Sequence, residues 1–146
     1  MINVRLMEEA DLDSVAEIEK EIFSLPWSRN AFADSLKSEN TLYVVAEDDG
    51  EVKGYCGMYL SFEEGNITNV AVSPDYRRHQ AAYNMLSYIV EIAKEKGITD
   101  VFLEVRETNV PAINLYEKLG FKEAGIRKNF YDKPTENALI MWKHNL

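Results

Sequence analysis

The sequence predicts an α/β domain of the α+β kind, with a mixed, mostly antiparallel sheet flanked by helices. Three observations predict it. Two β-rich runs, Thr41 to Ala46 and Val52 to Phe62, are separated by Asp48-Asp49-Gly50, a strong hairpin signal. A strand at Ile67 to Val72, a helical pattern from about Gln80 to Lys96 and a strand at Val101 to Val105 follow in succession. Such a crossover joins parallel strands, whereas the hairpins are antiparallel. A last pair of β-rich runs, Phe121 to Phe130 and Ala138 to Trp142, closes the sheet as a hairpin.

In chain order, Ile2 to Leu6 reads as a short opening strand. A helix from about Glu8 to Phe23 follows, with Leu12, Val15, Ile18 and Ile22 recurring at three and four. Leu25-Pro26-Trp27 ends it, and Ser28 is placed to cap a second short helix carrying Phe32 and Leu36 on one face. Glu63-Glu64-Gly65-Asn66 is the expected turn between the second and third antiparallel strands. In the central helix Met85, Leu86, Ile89, Ile92 and Ala93 form a buried stripe, and Gly97 supplies the stop. Val101 to Val105 is nearly continuous in apolar residues, as expected for a strand covered on both faces. The final helix, Pro111 to Leu119, has Pro at its first position and Gly120 just past its end.

At 146 residues the chain fits one domain, 1–146, that buries roughly 68–70% of its unfolded surface without staples. No run is apolar enough to span a membrane, and MINVRLMEEADL has neither the apolar core nor the cleavage site of a signal peptide, so a cytoplasmic protein is expected. One cysteine, Cys56, and two distant histidines, His79 and His144, supply no metal motif, so no metal is expected. A net charge of −9 opposes binding to a phosphate backbone and favours a cationic partner over nucleic acid. Acid is concentrated at Glu8, Glu9, Asp11, Asp13, Glu17, Glu19 and Glu21, which reads first as a solvated helix face.

Ile67 to Leu86, ITNVAVSPDYRRHQAAYNML, carries a strand through a loop with Arg77 and Arg78 into a helix. Backbone N–H groups at a helix start have no intrahelical acceptor, and the helix dipole adds partial positive charge there. A phosphate cradle and two solvated arginines are both open readings. Glu104 stands alone within VFLEV, sharing a face with Phe102 and Arg106. A carboxylate partly withdrawn from water becomes a better proton acceptor near neutral pH, and the alternative is a strand-end pair with Arg106. Tyr116 and Asn109 fit one side of a cleft at the ends of the parallel strands; equally, Tyr116 fits the core and Asn109 a helix cap. Cys56 lies among strand residues with no histidine near in sequence, which opposes a nucleophilic role.

Taken together, VAVSPDYRRHQAAYNML, LEVRETNVPAINLYEKLGFKEAGIRKNFY and ENALIMWK resemble the GNAT superfamily of N-acetyltransferases. Within it the likeness is to the RimI-type group, which acetylates the N-terminal alanine of a small-subunit ribosomal protein. The resemblance covers nearly the whole chain, including EADLDSVAEIE and the PWS segment at Pro26 to Ser28. It implies a sheet of about seven strands with about four helices, splayed between a central parallel pair to admit acetyl-CoA. Val70, Ala71 and Val72 would align the pantetheine arm and polarise the thioester. Arg77, Arg78, His79, Gln80, Ala81 and Ala82 would hold the pyrophosphate, with Asn109 contacting the cosubstrate further along. Glu104 matches the general base and Tyr116 the general acid. Pro26, Trp27, Ser28, Asn129, Phe130 and Tyr131 would wall the groove for the basic N-terminal peptide of a ribosomal protein.

One position departs from the family pattern. The phosphate loop there runs Arg or Gln, two residues, Gly, one residue, then Gly or Ala, and here those positions are Arg77, Gln80 and Ala82. Gln80 replaces the middle glycine, and its side chain either obstructs the approach of backbone N–H groups to phosphate or donates in their place. A lysine or small-amine acceptor, and a non-catalytic acyl-CoA-binding module, are the competing readings. The sequence does not set the oligomeric state.

Overall fold

The structure is a computed structural model that describes residues 1–77 and 80–146. Seven strands form one sheet: β1 (Asn3–Leu6), β2 (Thr41–Asp48), β3 (Glu51–Ser61), β4 (Glu64–Val72), β5 (Asp100–Arg106), β6 (Lys122–Tyr131) and β7 (Glu136–Lys143). Among the described residues four α-helices flank it: α1 (Leu12–Ile22), α2 (Arg29–Leu36), α3 (Ala81–Glu95) and α4 (Val110–Lys118). The sheet order is β1-β2-β3-β4-β5-β7-β6, with β4 and β5 parallel and the other neighbours antiparallel.

Local chemistry sets the boundaries. Asp49 and Gly50 both take positive φ, 51° and 80°, which matches the right-handed twist of the β2–β3 strands across a two-residue turn. The next turn lies at Phe62-Glu63, ahead of its expected place, and Glu64 already pairs with Ser61. Glu64, Gly65 and Asn66 are strand residues because all three pair with both β3 and β5. The first helix opens as a 3-10 turn over Glu9–Asp11 before α1 begins at Leu12. Ser28 caps α2, its Oγ accepting from the Ala31 N–H at 3.1 Å.

Strand alternation divides the core between the two faces. Val44, Ala46, Cys56 and Met58 pack with Met85, Leu86 and Ile89 of α3, while Tyr43, Val45, Tyr55 and Ala71 pack with Leu12, Val15 and Ile18 of α1 and Phe32 of α2. On β5 the expectation of two covered faces fails. Val101, Leu103 and Val105 are buried against the α3 and α4 side, but Phe102, Glu104 and Arg106 are only half-buried. That opposite face is where the site forms.

The acidic run is not uniformly solvated. Asp11 and Glu19 are buried, at 6% and 3% exposure. Burial works against the Asp11 charge, but a bidentate contact from Arg5, 2.8 Å to each oxygen, holds its carboxyl below the usual range and ties α1 to β1.

Candidate active site

The parallel pair opens where pairing stops. β4 and β5 are in register from Glu64↔Asp100 to Ile67↔Leu103 and no further, although β4 continues to Val72 and β5 to Arg106. A bulge contributes to this: Gly57 pairs with Asn69 and Met58 with Ile67, leaving Thr68 as the extra residue on β4. An unmatched residue bends its strand and increases local twist, here at the point where β4 leaves β5. Beyond it, Asn69 to Val72 remain paired to β3 on one side. Their other edge faces the opening, where backbone groups are available to a ligand as they are at a sheet edge.

Two clefts meet this opening. The smaller, about 230 Å³, is lined by Ile67, Thr68, Asn69 and Val70 of β4, Leu103 to Arg106 of β5, and Phe23, Asn109, Tyr116 and Tyr131. Tyr116 belongs to the core on the α4 side, whereas Glu104 points to the face carrying α1. Residues from both faces line one cavity, so the opening passes through the sheet.

Glu104 is 13% exposed at its side chain. Its partners are the Asn66 amide, 3.4 Å from Oε2, and the Arg127 guanidinium, 4.0 Å from Oε1. The pairing with Arg106 weighed from sequence is not made. Arg106 instead bonds Glu136 at 3.2 Å and the carbonyl oxygens of Asp132 and Pro134. Asn66 and Arg127 were missed by sequence reasoning, since only the strand order brings β4 and β6 to Glu104.

Tyr116 is 8% exposed, and burial, with lesser contributions from Tyr131 and Cys56, pushes its phenol pKa up, so it holds its proton at neutral pH. No hydrogen bond among the described residues takes up its hydroxyl, and no buried side-chain oxygen or nitrogen among them lacks a partner. The hydroxyl therefore opens on the cleft. Burial likewise pushes Tyr131 up to about 12, with the Glu104 carboxylate adding to the shift. Asn109 does both things weighed from sequence. Its Oδ1 caps α4 by accepting from the Ala112 N–H at 3.3 Å, and the residue also lines the cleft.

The larger cleft, about 630 Å³, lies on the α3 and α4 side and is lined by Val72, Tyr76, Arg77, Gln80, Ala81, Ala82, Tyr83, Leu115 and Lys118. It brings together the first turn of α3, whose N–H groups lack intrahelical acceptors, and two cations, Arg77 and Lys118. Arg78 and His79 lie outside the described residues. Ala71 is buried on the α1 side.

Gln80 is the N-cap of α3 with φ 61° and ψ 19°. This left-handed conformation suits glycine and costs an L-residue about 1–2 kcal/mol. The backbone thus follows a glycine-like path although a glutamine occupies it. Gln80→Gly is expected to stabilise the fold by roughly 0.5–1 kcal/mol, part of the relief being offset by glycine's greater freedom when unfolded. Differential scanning calorimetry should show a melting temperature higher by about 1–4 °C. A lower one would mean that the side chain contributes more than its backbone strain costs.

Of the expected acceptor residues, Tyr131 lines the Glu104 cleft and Trp27 lines an adjoining cavity of about 200 Å³ with Asn66 and Thr68. Ser28 is engaged as the α2 cap, and Pro26 lies in the exposed loop before it. Asn129 bonds Asn137 through its N–H at 3.0 Å, and Phe130 packs edge-on to Tyr131 at 5.0 Å between centroids. Phe130 also lies under Arg127 at 5.4 Å. Cys56 is fully buried and its thiol pKa is pushed up by burial, which leaves no thiolate for a nucleophilic role. Among the described residues no group of three or more His, Cys, Asp or Glu could hold a metal, and no helix is long and apolar enough to cross a membrane.

The profile of the "Acetyltransferase (GNAT) family" matches residues 12–121. A Bacillus subtilis (strain 168) protein provisionally named ribosomal protein bS18-alanine N-acetyltransferase is 41% identical over 140 residues, covering 95% of this chain and 93% of its own length. The Escherichia coli (strain K12) ribosomal protein bS18-alanine N-acetyltransferase is 34% identical over 145 residues, covering 97% and 96%. A crystal structure of the ribosomal-protein-S18-alanine N-acetyltransferase from Escherichia coli superposes with a TM-score of 0.90 at 32% identity, covering 99% of this chain and 94% of that one. With a profile match running from α1 past the end of α4, and likeness to these proteins along nearly all of its length, this chain belongs to the GNAT acetyltransferase family.

Proposed function

We propose that this chain, acting as one domain over residues 1–146, transfers acetyl from acetyl-CoA to the N-terminal α-amine of an alanine on a small-subunit ribosomal protein. The observation that carries the chemistry is the convergence of Glu104 and Tyr116 from opposite faces into one passage through the sheet. The relatives, named for bS18 and its alanine, supply the acceptor. A ribosomal acceptor implies a cytoplasmic enzyme.

The residues present fit the donor. Arg77, Lys118 and the first turn of α3 offer positive charge and backbone donors to a pyrophosphate, and the free edge of β4 offers ladder groups to an amide-bearing arm. When bound, acetyl-CoA supplies an activated acyl group. Glu104, directly or through one water, takes the proton that the α-ammonium must lose before its nitrogen attacks the carbonyl carbon, and the second N–H proton passes to water as the new C–N bond settles into the amide. Val70, Ala71 and Val72 border the edge where charge develops on the carbonyl oxygen, and Tyr116 donates its proton to the departing thiolate as the C–S bond breaks. With Cys56 sealed in the core, transfer is direct.

The amine itself favours an α-amino acceptor. At a pKa near ~8 about a tenth is deprotonated at pH 7, while a lysine near ~10.4 is hundreds of times scarcer in that form. The net charge of −9 adds steering toward a basic peptide and away from nucleic acid. Incubation with acetyl-CoA and an alanine-starting, arginine-rich peptide containing one internal lysine tests the reading. Mass spectrometry should find a single acetyl group at the N-terminus, with turnover falling as salt rises. Acetylation confined to the lysine, or none at all, would overturn the assigned acceptor.

A further inference from the structure

We infer that Glu19 is a positioning residue for the acceptor: its buried carboxylate holds the backbone of Trp27 and so fixes the aromatic wall beside the catalytic passage. The inference rests on the reading of Trp27 as part of the acceptor groove.

On α1 the neighbouring acids Asp13, Glu17 and Glu21 face solvent, but Glu19 is 3% exposed. Asp11, the other buried acid among the described residues, has Arg5 as its counter-ion. Among the described residues no cation pairs with Glu19. Its Oε1 accepts from the Tyr55 hydroxyl and its Oε2 from the Trp27 N–H at 3.0 Å. Burying a carboxylate against neutral donors alone costs free energy, and a leucine would pack the same position without that cost. The carboxylate therefore serves something other than packing.

What it serves is visible in the loop between α1 and α2. The Glu19 main-chain oxygen accepts from the Phe23 N–H at 2.9 Å while its side chain accepts from Trp27, so one residue grips the loop at both ends. Both gripped residues face the site. Phe23 lines the Glu104 cleft, and Trp27 lines the cavity next to it, where Thr68 belongs to both. From Phe23 to Asn30 the residues are exposed, leaving little packing to define the loop otherwise. The Trp27 ring is held from below by Phe32 at 5.3 Å, and Phe32 in turn meets Tyr55 edge-on at 5.5 Å. Glu19 and Tyr55 are thus the polar counterpart of an aromatic stack that aims Trp27.

The test separates this role from a merely structural one and from failure of the acceptor reading. In a Trp142→Phe background Trp27 is the sole tryptophan, because the chain has two. Glu19→Met should shift Trp27 emission to the red and increase its quenching by acrylamide. It should also raise KM for the peptide roughly 3–10-fold, the worth of one hydrogen bond, with kcat and acetyl-CoA affinity unchanged. Glu19→Gln, whose carbonyl can still accept from Trp27, should restore both. If the methionine variant does not fold, Tyr55→Phe should give the same split between KM and kcat by a smaller factor. Unchanged Trp27 emission in a folded Glu19→Met overturns the inference, as does a fall in kcat with KM constant. Failure of the unsubstituted chain to acetylate the peptide would count against the acceptor reading, and the emission in the Trp142→Phe background would still decide whether Glu19 holds Trp27.

Discussion

Glu104→Gln is expected to lower turnover of an alanine-starting peptide by about 10²–10⁴, the usual contribution of a positioned proton acceptor. The amide keeps the size and hydrogen-bonding reach of the carboxylate, so the Asn66 contact at 3.4 Å and the fold should survive. What it loses is the ability to take a proton. The deficit should narrow as pH rises toward ~8, because an α-amine increasingly sheds its own proton in that range. Initial rates across pH 6 to 9, with acetyl-CoA affinity measured beside them, check this. A constant deficit would mean that Glu104 orients the amine and does not deprotonate it. Arg127, 4.0 Å away and half-exposed, should remain beside the amide as a neutral partner's neighbour and not rescue the rate.

Tyr116→Phe is the companion result, also expected at about 10²–10⁴ in kcat. The ring is buried against Phe121, 6.1 Å between centroids, and phenylalanine fills the same space. Its hydroxyl has no partner among the described residues, so removing it breaks no internal bond and should leave the melting temperature close to the original. Acetyl-CoA should bind as before. Because burial keeps the phenol protonated through neutral pH, the parent enzyme has its acid available throughout the range in which Glu104 and the amine work. Stopped-flow measurement of thiol release under single-turnover conditions isolates the step. A rate equal to that of the parent would remove Tyr116 from the mechanism.

Elements with local punctuation were legible in the sequence. Asp49-Gly50, Ser28 before α2, and Asn109-Val110-Pro111 at the start of α4 each impose a backbone requirement that few residues meet, and the structure uses each as such. Glu104 was visible because a lone carboxylate in an apolar strand is costly wherever the strand sits. The bulge at Thr68 was not, since it reflects pairing between strands and leaves no trace in either alone. Asn66 and Arg127 were hidden for the same reason: β7 lies between β5 and β6, an order set by the whole sheet. Gln80 read as a missing glycine, and its left-handed backbone shows that the loop kept the glycine conformation without the residue.

Glu19 had a signal that went unused. It lies four residues after Val15 and three before Ile22, on the apolar stripe of α1, and counting it with the acidic run concealed its phase. A charge in the buried phase of an amphipathic helix is a better pointer to a polar network than the total charge of that helix. The converse holds for Trp27, whose exposure of 42% would pass unremarked without the carboxylate beneath it.

The central claim is that the opening between β4 and β5 receives a thioester-bearing nucleotide whose diphosphate meets the start of α3. Isothermal titration of the full chain with acetyl-CoA, paired with a melting curve at about 100 times the measured Kd, tests it most directly. One-to-one binding is predicted, with stabilisation of about 2.7 kcal/mol and a melting temperature higher by about 5–10 °C. No heat and no shift at millimolar acetyl-CoA would contradict it.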